Sequence, residues 1–212
     1  MKEESRSGSG PLRVGIFYGL LAGMVALFSH FFFFLIDPAT MTDWVLAAMT
    51  NFIPLAALAA YIFLGMLAAL RARPTYLDSG VPYRSLLLRD AALAAAIVAI
   101  VAGLFNLVST GLQATIFADD IRSFATEAAP KIVAYVNEVG SELNDPPPPA
   151  TIEQIERVLQ PPALADLGQT LGNTAIGTML LGALGGVIGA LRGVKHRRKD
   201  DSSPSEPTGE PR

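Results

Sequence analysis

The chain of 212 residues contains no cysteine, which excludes disulfides, thiolate catalysis, thiolate metal sites and cysteine-linked lipids. Histidine is nearly as scarce: His30 and His196 are the only two, so no histidine cluster can hold a metal. The chain also lacks paired carboxylates within an apolar stretch, a nucleophile beside a base, and a phosphate-cradling glycine loop followed by Lys and Ser or Thr. From these absences we expect no enzyme, no cofactor and no metal. Charged residues make up only 17% of the chain, against 51% apolar residues and a positive mean hydropathy. Most of that charge lies outside four long apolar stretches.

Those stretches, 14–36, 44–70, 86–110 and 167–191, are each long enough to cross a hydrocarbon core of about 30 Å, which takes about 20 helical residues. Backbone groups in lipid must be satisfied internally, and the ten-residue alternation of a barrel strand is absent, so the spans are expected to be helices. Residues 91–108 are apolar around nearly the whole circumference, unlike the one-sided helix of a water-soluble protein. The expected fold is all-α: a polytopic four-transmembrane-helix bundle spanning 14–192, with a partly helical extracytoplasmic loop at 111–166. Residues 1–13 are expected to form a disordered N-terminal tail, and 193–212 a basic and then disordered C-terminal one.

Lys and Arg are retained on the cytoplasmic side of a membrane, and thirteen of the sixteen here lie on one side of the four spans. Arg13, Arg71, Arg73, Arg84 and the run Lys195, Arg197, Arg198, Lys199 belong to that side. The long connection has only Arg122, Lys131 and Arg157 against nine acidic residues. Both termini are therefore expected in the cytoplasm, with the chain as a multi-pass protein of the inner (plasma) membrane. The first apolar run is too long for a cleaved signal and ends in Phe31 to Phe34 without a small-residue cleavage site, so it is read as an uncleaved span. The basic run after the fourth span is read as a stop-transfer anchor attracted to anionic lipid, and no nucleic-acid partner is expected.

In the long connection, Ile121, Phe124, Ala128, Ile132, Tyr135, Val136, Val139 and Leu143 recur three or four apart, as on one helical face. Pro130 interrupts them, and either kinks that helix or opens a new one. After Pro146 to Pro149, Thr151 and Gln154 have capping-box spacing and precede the apolar stripe Ile152, Ile155, Val158, Leu159, which Pro161 ends. The two helices can fold together as a hairpin or lie on the membrane surface. The acidic residues lack the ordered oxygen ligands of a calcium loop and are read as a solvated face.

Polar residues inside lipid are costly and are candidates for function. They are His30, Asn51, Arg89, Asp90, Asn106 and Asn173. Arg89 and Asp90 lie near the start of the third span, where Arg89 can snorkel to the interface. Adjacent residues do not face each other across a helix, so no ion pair is expected between them. His30 is expected to hydrogen-bond across helices, with Asn51 or Ser29 as candidate partners, and Pro54 with Asn51 to kink the second span. Gly15, Gly19 and Gly23 recur every four residues, as do Gly182 with Gly186, and Gly185 with Gly189 and Gly193. Such faces let helices approach closely in lipid. One use is to pair spans one and four; the other is a dimer interface, and the two faces on the fourth span can serve one purpose each.

Tyr83-Arg84 before the third span, the charged segment TIEQIERVLQPPALADLG and the Gly-rich fourth span before a basic tail together resemble a bacterial four-span inner-membrane family of uncharacterised function. The resemblance covers most of 14–199. It implies a four-helix inner-membrane protein and brings no catalytic residues. Two functional classes follow. The first is an interaction, assembly or envelope-associated protein with a membrane-protein partner or a second copy of itself. The second is a small transporter or channel subunit acting as an oligomer, which predicts broken helices, inverted repeats or polar residues near the midplane; no internal repeat stands out.

Overall fold

The computed structural model describes residues 10–74, 81–142 and 144–200, with the side chains of 195–200 left out. Helix α1 is Pro11–Phe31, followed by a 3-10 turn at Phe32–Leu35. After a short 3-10 turn at Pro38–Thr40 come α2 (Asp43–Ala47), a π-helical turn (Ala48–Phe52) and α3 (Ile53–Arg71), which form one continuous rod. Then follow α4 (Tyr83–Thr115), α5 (Ala118–Ser141), α6 (Ile152–Leu159) and α7 (Asp166–Asp200). Four rods, Pro11–Leu35, Asp43–Arg71, Tyr83–Thr115 and Asp166–Val194, are long and apolar enough to cross a membrane. The molecule is an all-α polytopic membrane protein.

The tails begin later than expected. Pro11, at the first helical position of α1, has no N–H to leave unsatisfied, so residues 11–13 are helical instead of belonging to a disordered tail. At the other end α7 continues through the backbone of the basic run to Asp200. The rest of both tails, the side chains of the basic run, and Leu143 lie outside the described residues.

Helix α4 is the centre of the bundle. Its middle, 91–105, is apolar all round, but its side chains are sorted by size. Ala91, Ala94, Ala95, Val98, Ala99, Ala102 and Gly103 are buried, while Leu93, Ile100, Leu104 and Val108 are exposed towards lipid. Small residues inside let neighbouring backbones come close and make dispersion contacts that lipid tails cannot match. Helices α1, α3 and α7 all pack on α4, and α3 also touches α1 and α7. Among the described residues α1 and α7 do not meet, so the expected pairing of spans one and four is incorrect.

The glycine stripes explain why. A Cβ on Gly15 would lie 2.8 Å from the Ala94 carbonyl oxygen, one on Gly19 would lie 2.7 Å from Val101 Cβ, and one on Gly23 would run into the Phe105 ring. From the other side, Cβ atoms on Gly185 and Gly189 would each lie 2.6 Å from a carbonyl oxygen of α4, those of Ala91 and Leu87, and Gly193 closes on Arg84. Gly182 and Gly186 sit over Ala96 and Ala92 at ordinary contact distance. Both glycine faces of the fourth span are thus turned to the third. Spacing revealed where backbones approach but not which helix approaches them.

The core lies at the end of the bundle that carries the chain termini. Val14, Tyr18 and Ala22 of α1, Ala68, Ala69 and Ala72 at the end of α3, the alanines of α4 and Leu181 of α7 form two adjoining clusters there. Arg192 secures this end: its Nη1 donates to the carbonyl oxygens of Ala69 at 2.8 Å and Ala72 at 2.9 Å, filling acceptors that the α3 C-terminus leaves open.

At the opposite end, α5 and α6 fold together as a hairpin. Helix α5 continues through Pro130 without interruption, so the expected fresh start at the proline is not made. Proline deletes only one helical bond, and Ala128, Ala129 and Ile132 are buried on both sides of it, so packing holds the two halves as one helix. Leu46, Ala128 and Ile132 form a small core with Phe124, Tyr135, Ile155 and Leu159 around it. The capping box is formed, with Thr151 N donating to Gln154 Oε1 at 3.0 Å and Gln154 N to Thr151 Oγ1 at 3.3 Å. The Asn137 amide brackets Ala150, accepting from its N–H at 2.7 Å and donating to its carbonyl at 3.1 Å. Two bonds to the backbone of one residue fix where the proline run turns back.

Candidate functional site

The spans alternate in direction, so the late part of α1, the early part of α3, the late part of α4 and the early part of α7 share the hairpin end. There the packing changes. Alanine and glycine give way to hydroxyl and amide side chains, and α3 is less covered, with Leu55 and Leu58 both more than half exposed. The π-helical turn just before Pro54 carries one residue more than an α turn, and the Ile53 N–H reaches back to Ala48 O. Proline at 54 has no N–H for the next helical bond, which favours such an irregular turn over a sharp break.

A cavity of about 390 Å³ opens at this level, with walls from α1, α3, α4 and α7. Its polar lining is Ser29 and His30 from α1, Tyr61 from α3, Asn106 and Thr110 from α4, and Thr170, Asn173 and Thr174 from α7. No Asp, Glu, Lys or Arg lines it. The hydroxyl protons are largely committed to their own helices: Thr110 Oγ1 donates to Asn106 O at 2.9 Å and Thr174 Oγ1 to Thr170 O at 2.8 Å. Each hydroxyl therefore offers the cavity oxygen lone pairs, while each amide offers both a donor and an acceptor.

His30 is held at the edge of this space by its backbone, not its ring. Its carbonyl oxygen accepts from Gln113 Nε2 at 2.8 Å, a contact that ties the end of α1 to α4. The Nδ1 atom is enclosed and has no hydrogen-bond partner among the described residues. An unmatched buried nitrogen costs on the order of 1–3 kcal/mol, the kind of local conflict expected where a side chain serves something other than stability.

Two glycines make the cavity geometrically feasible. A Cβ on Gly177 would lie 2.7 Å from the Tyr61 hydroxyl, and one on Gly103 would overlap Thr174. Without those hydrogens-only positions, Tyr61 and Thr174 would be driven from the wall.

Of the six polar residues picked out in the spans, His30, Asn106 and Asn173 come together here and the other three do not. Asn51 is exposed in the π-helical turn and donates to Thr50 Oγ1 at 3.1 Å, so the expected bond to His30 is absent. Arg89 and Asp90 lie near the termini end and, contrary to expectation, are paired: Arg89 Nε donates to Asp90 Oδ1 at 2.9 Å. Their Cβ atoms diverge, but the arginine stem is long enough to fold back over the buried carboxylate, whose side chain is only 4% exposed. Tyr61, Thr170, Thr174, Gly103, Gly177, Gln113 and Arg192 were not singled out by the sequence. A Thr at every fourth place in 170–178 is the signal that marked one of these faces, since it repeats at helical spacing.

Among the described residues, no group of three His, Asp or Glu is placed to hold a metal ion. No family model, curated protein or solved structure matches this chain.

Proposed function

We propose that this protein is a small transporter or channel subunit whose four-span bundle receives an uncharged, hydrogen-bonding small solute in the cavity between its helices. The convergence of His30, Asn106 and Asn173, from three different spans, on one cavity carries this reading. Amides and hydroxyls replace the hydration of a neutral polar solute, whereas an ion would meet no compensating charge there. Polar groups deep in the apolar segments are a feature that membrane carriers use, and a π-helical turn, often found at functional sites, interrupts the regular winding of the second span beside them without breaking it. The alanine core beneath the cavity supplies a closed end. The charge distribution supports an orientation with the termini in the cytoplasm and the cavity towards the outside.

The interaction reading keeps one specific support: on the α5–α6 hairpin Val158 is 80% exposed, on a face that α5 leaves uncovered. Flux separates the two. Full-length protein in liposomes, tested by osmotic swelling with glycerol, urea and small amides, is expected to admit at least one solute about tenfold faster than protein-free liposomes. Asn106→Leu with Asn173→Leu should abolish the gain, and Asn51→Ala should not. If every solute enters as slowly as in protein-free liposomes, the carrier reading fails.

A further inference from the structure

At the termini end, α1 and α3 leave a groove of about 370 Å³ on the lipid-facing surface, far from the polar cavity. It is lined by Arg13, Val14, Phe17, Tyr18 and Arg71. Arg13 lies in the first turn of α1 and Arg71 is the last residue of α3, so the two cations belong to the same end of antiparallel helices. Val14, Phe17 and Tyr18 continue along α1 towards the middle of the span; Val14 and Tyr18 belong to the core and show the groove only the edge of their side chains, as its floor, while Phe17, 58% exposed, forms its open apolar wall.

Neither arginine has an ion-pair or hydrogen-bond partner among the described residues. The contrast with Arg192, Arg89 and Arg122 is informative, because each of those is spent on a carbonyl or carboxylate of the chain. Two free guanidinium groups at interface depth, above an apolar strip that runs into the bilayer, match an amphiphile with a negative head and a hydrocarbon tail. A soluble anion would use the arginines and leave the aromatic strip without purpose; a neutral lipid would do the reverse.

We propose that this groove is a binding site for one anionic phospholipid, with its phosphate on Arg13 and Arg71 and an acyl chain along Val14, Phe17 and Tyr18. The site is independent of any solute in the cavity. Its position at the α1–α3 seam means that the lipid bridges two spans that also meet through the core of Val14, Tyr18, Ala68 and Ala72.

The test is native mass spectrometry of the full chain in neutral detergent, titrated with phosphatidylglycerol or phosphatidylcholine. Saturable binding of one phosphatidylglycerol is expected, with affinity about tenfold to thirtyfold above phosphatidylcholine, as two interfacial cations would supply. Arg13→Gln with Arg71→Gln should remove that preference, and Arg122→Gln, at the hairpin end, should retain it. Free glycerol phosphate at the same concentration should not compete. Equal binding of the two lipids by the unaltered protein overturns the proposal, as does a preference that survives the double substitution or competition by free glycerol phosphate as strong as by the lipid. Should the double variant fail to fold, Phe17→Trp in a Trp44→Phe background decides the matter: brominated phosphatidylglycerol should quench its fluorescence more than brominated phosphatidylcholine, and equal quenching refutes the site.

Discussion

At the scale of single residues, glycine divides this chain into positions that must stay small and positions that need not. Gly103 faces Thr174 so closely that any Cβ displaces one helix, whereas Gly172, two residues from Thr174 on α7, has nothing within 4 Å of where its Cβ would be. Gly103→Val should therefore lower stability by about 1–3 kcal/mol through overpacking. Gly172→Ala should be neutral or raise it by up to about 1 kcal/mol through helix propensity. Thermal unfolding in one detergent compares the two directly, and equal losses would show that α4 and α7 are not packed as described. The same reasoning places Arg192 among the structural residues. Its removal leaves the Ala69 and Ala72 carbonyls without their donor, and Arg192→Met should cost more than Arg73→Met in the same assay.

At the scale of elements, what was legible in the sequence was local. Span length and apolarity set four helices, and Thr151 with Gln154 announced the start of α6, because both signals act within a turn or two of chain. The partners of each element were not legible. Glycine spacing on α1 and α7 required close neighbours, but the neighbour in both cases is α4, which meets α1 with Ile97, Val101 and Phe105 and α7 mainly with its alanines, and size sorting along an apolar stretch leaves no trace in polarity. The cavity was legible only as scattered polar residues; that three of them converge while Asn51 points away depends on helix rotation, which spacing does not reveal. At Pro130 the fresh helix start is absent for a related reason, since packing on both sides of it outweighs one missing bond. The hairpin gives a test at this scale. Asn137→Ala removes both bonds to Ala150, so hydrogen exchange in α6 should accelerate by about tenfold or more while α4 is unchanged. Unaltered exchange in α6 would mean that the apolar contacts of Ile155 and Leu159 hold the helix without that clamp.

For the whole molecule, the bundle is packed tightly by small residues at one end and opened by hydroxyls and amides at the other, and the acidic hairpin belongs to the open end. A reporter fused at Glu142 should report the outer compartment and one fused at Lys199 the cytoplasm; the reverse pattern would invert the proposed orientation. The most direct test of a solute site between the spans uses the absence of native cysteine, which makes any introduced thiol unique. Single cysteines at Asn106 and Asn173 in the cavity, at Leu104 on the lipid side and at Ala95 in the core would each be exposed, in the membrane, to a charged thiol reagent. Reaction at 106 and 173 with none at 104 and 95 is the expected result, because the charged reagent enters only where water does. Thiols at 106 and 173 as inert as the one at 104 would contradict a water-accessible polar cavity and the function proposed for it.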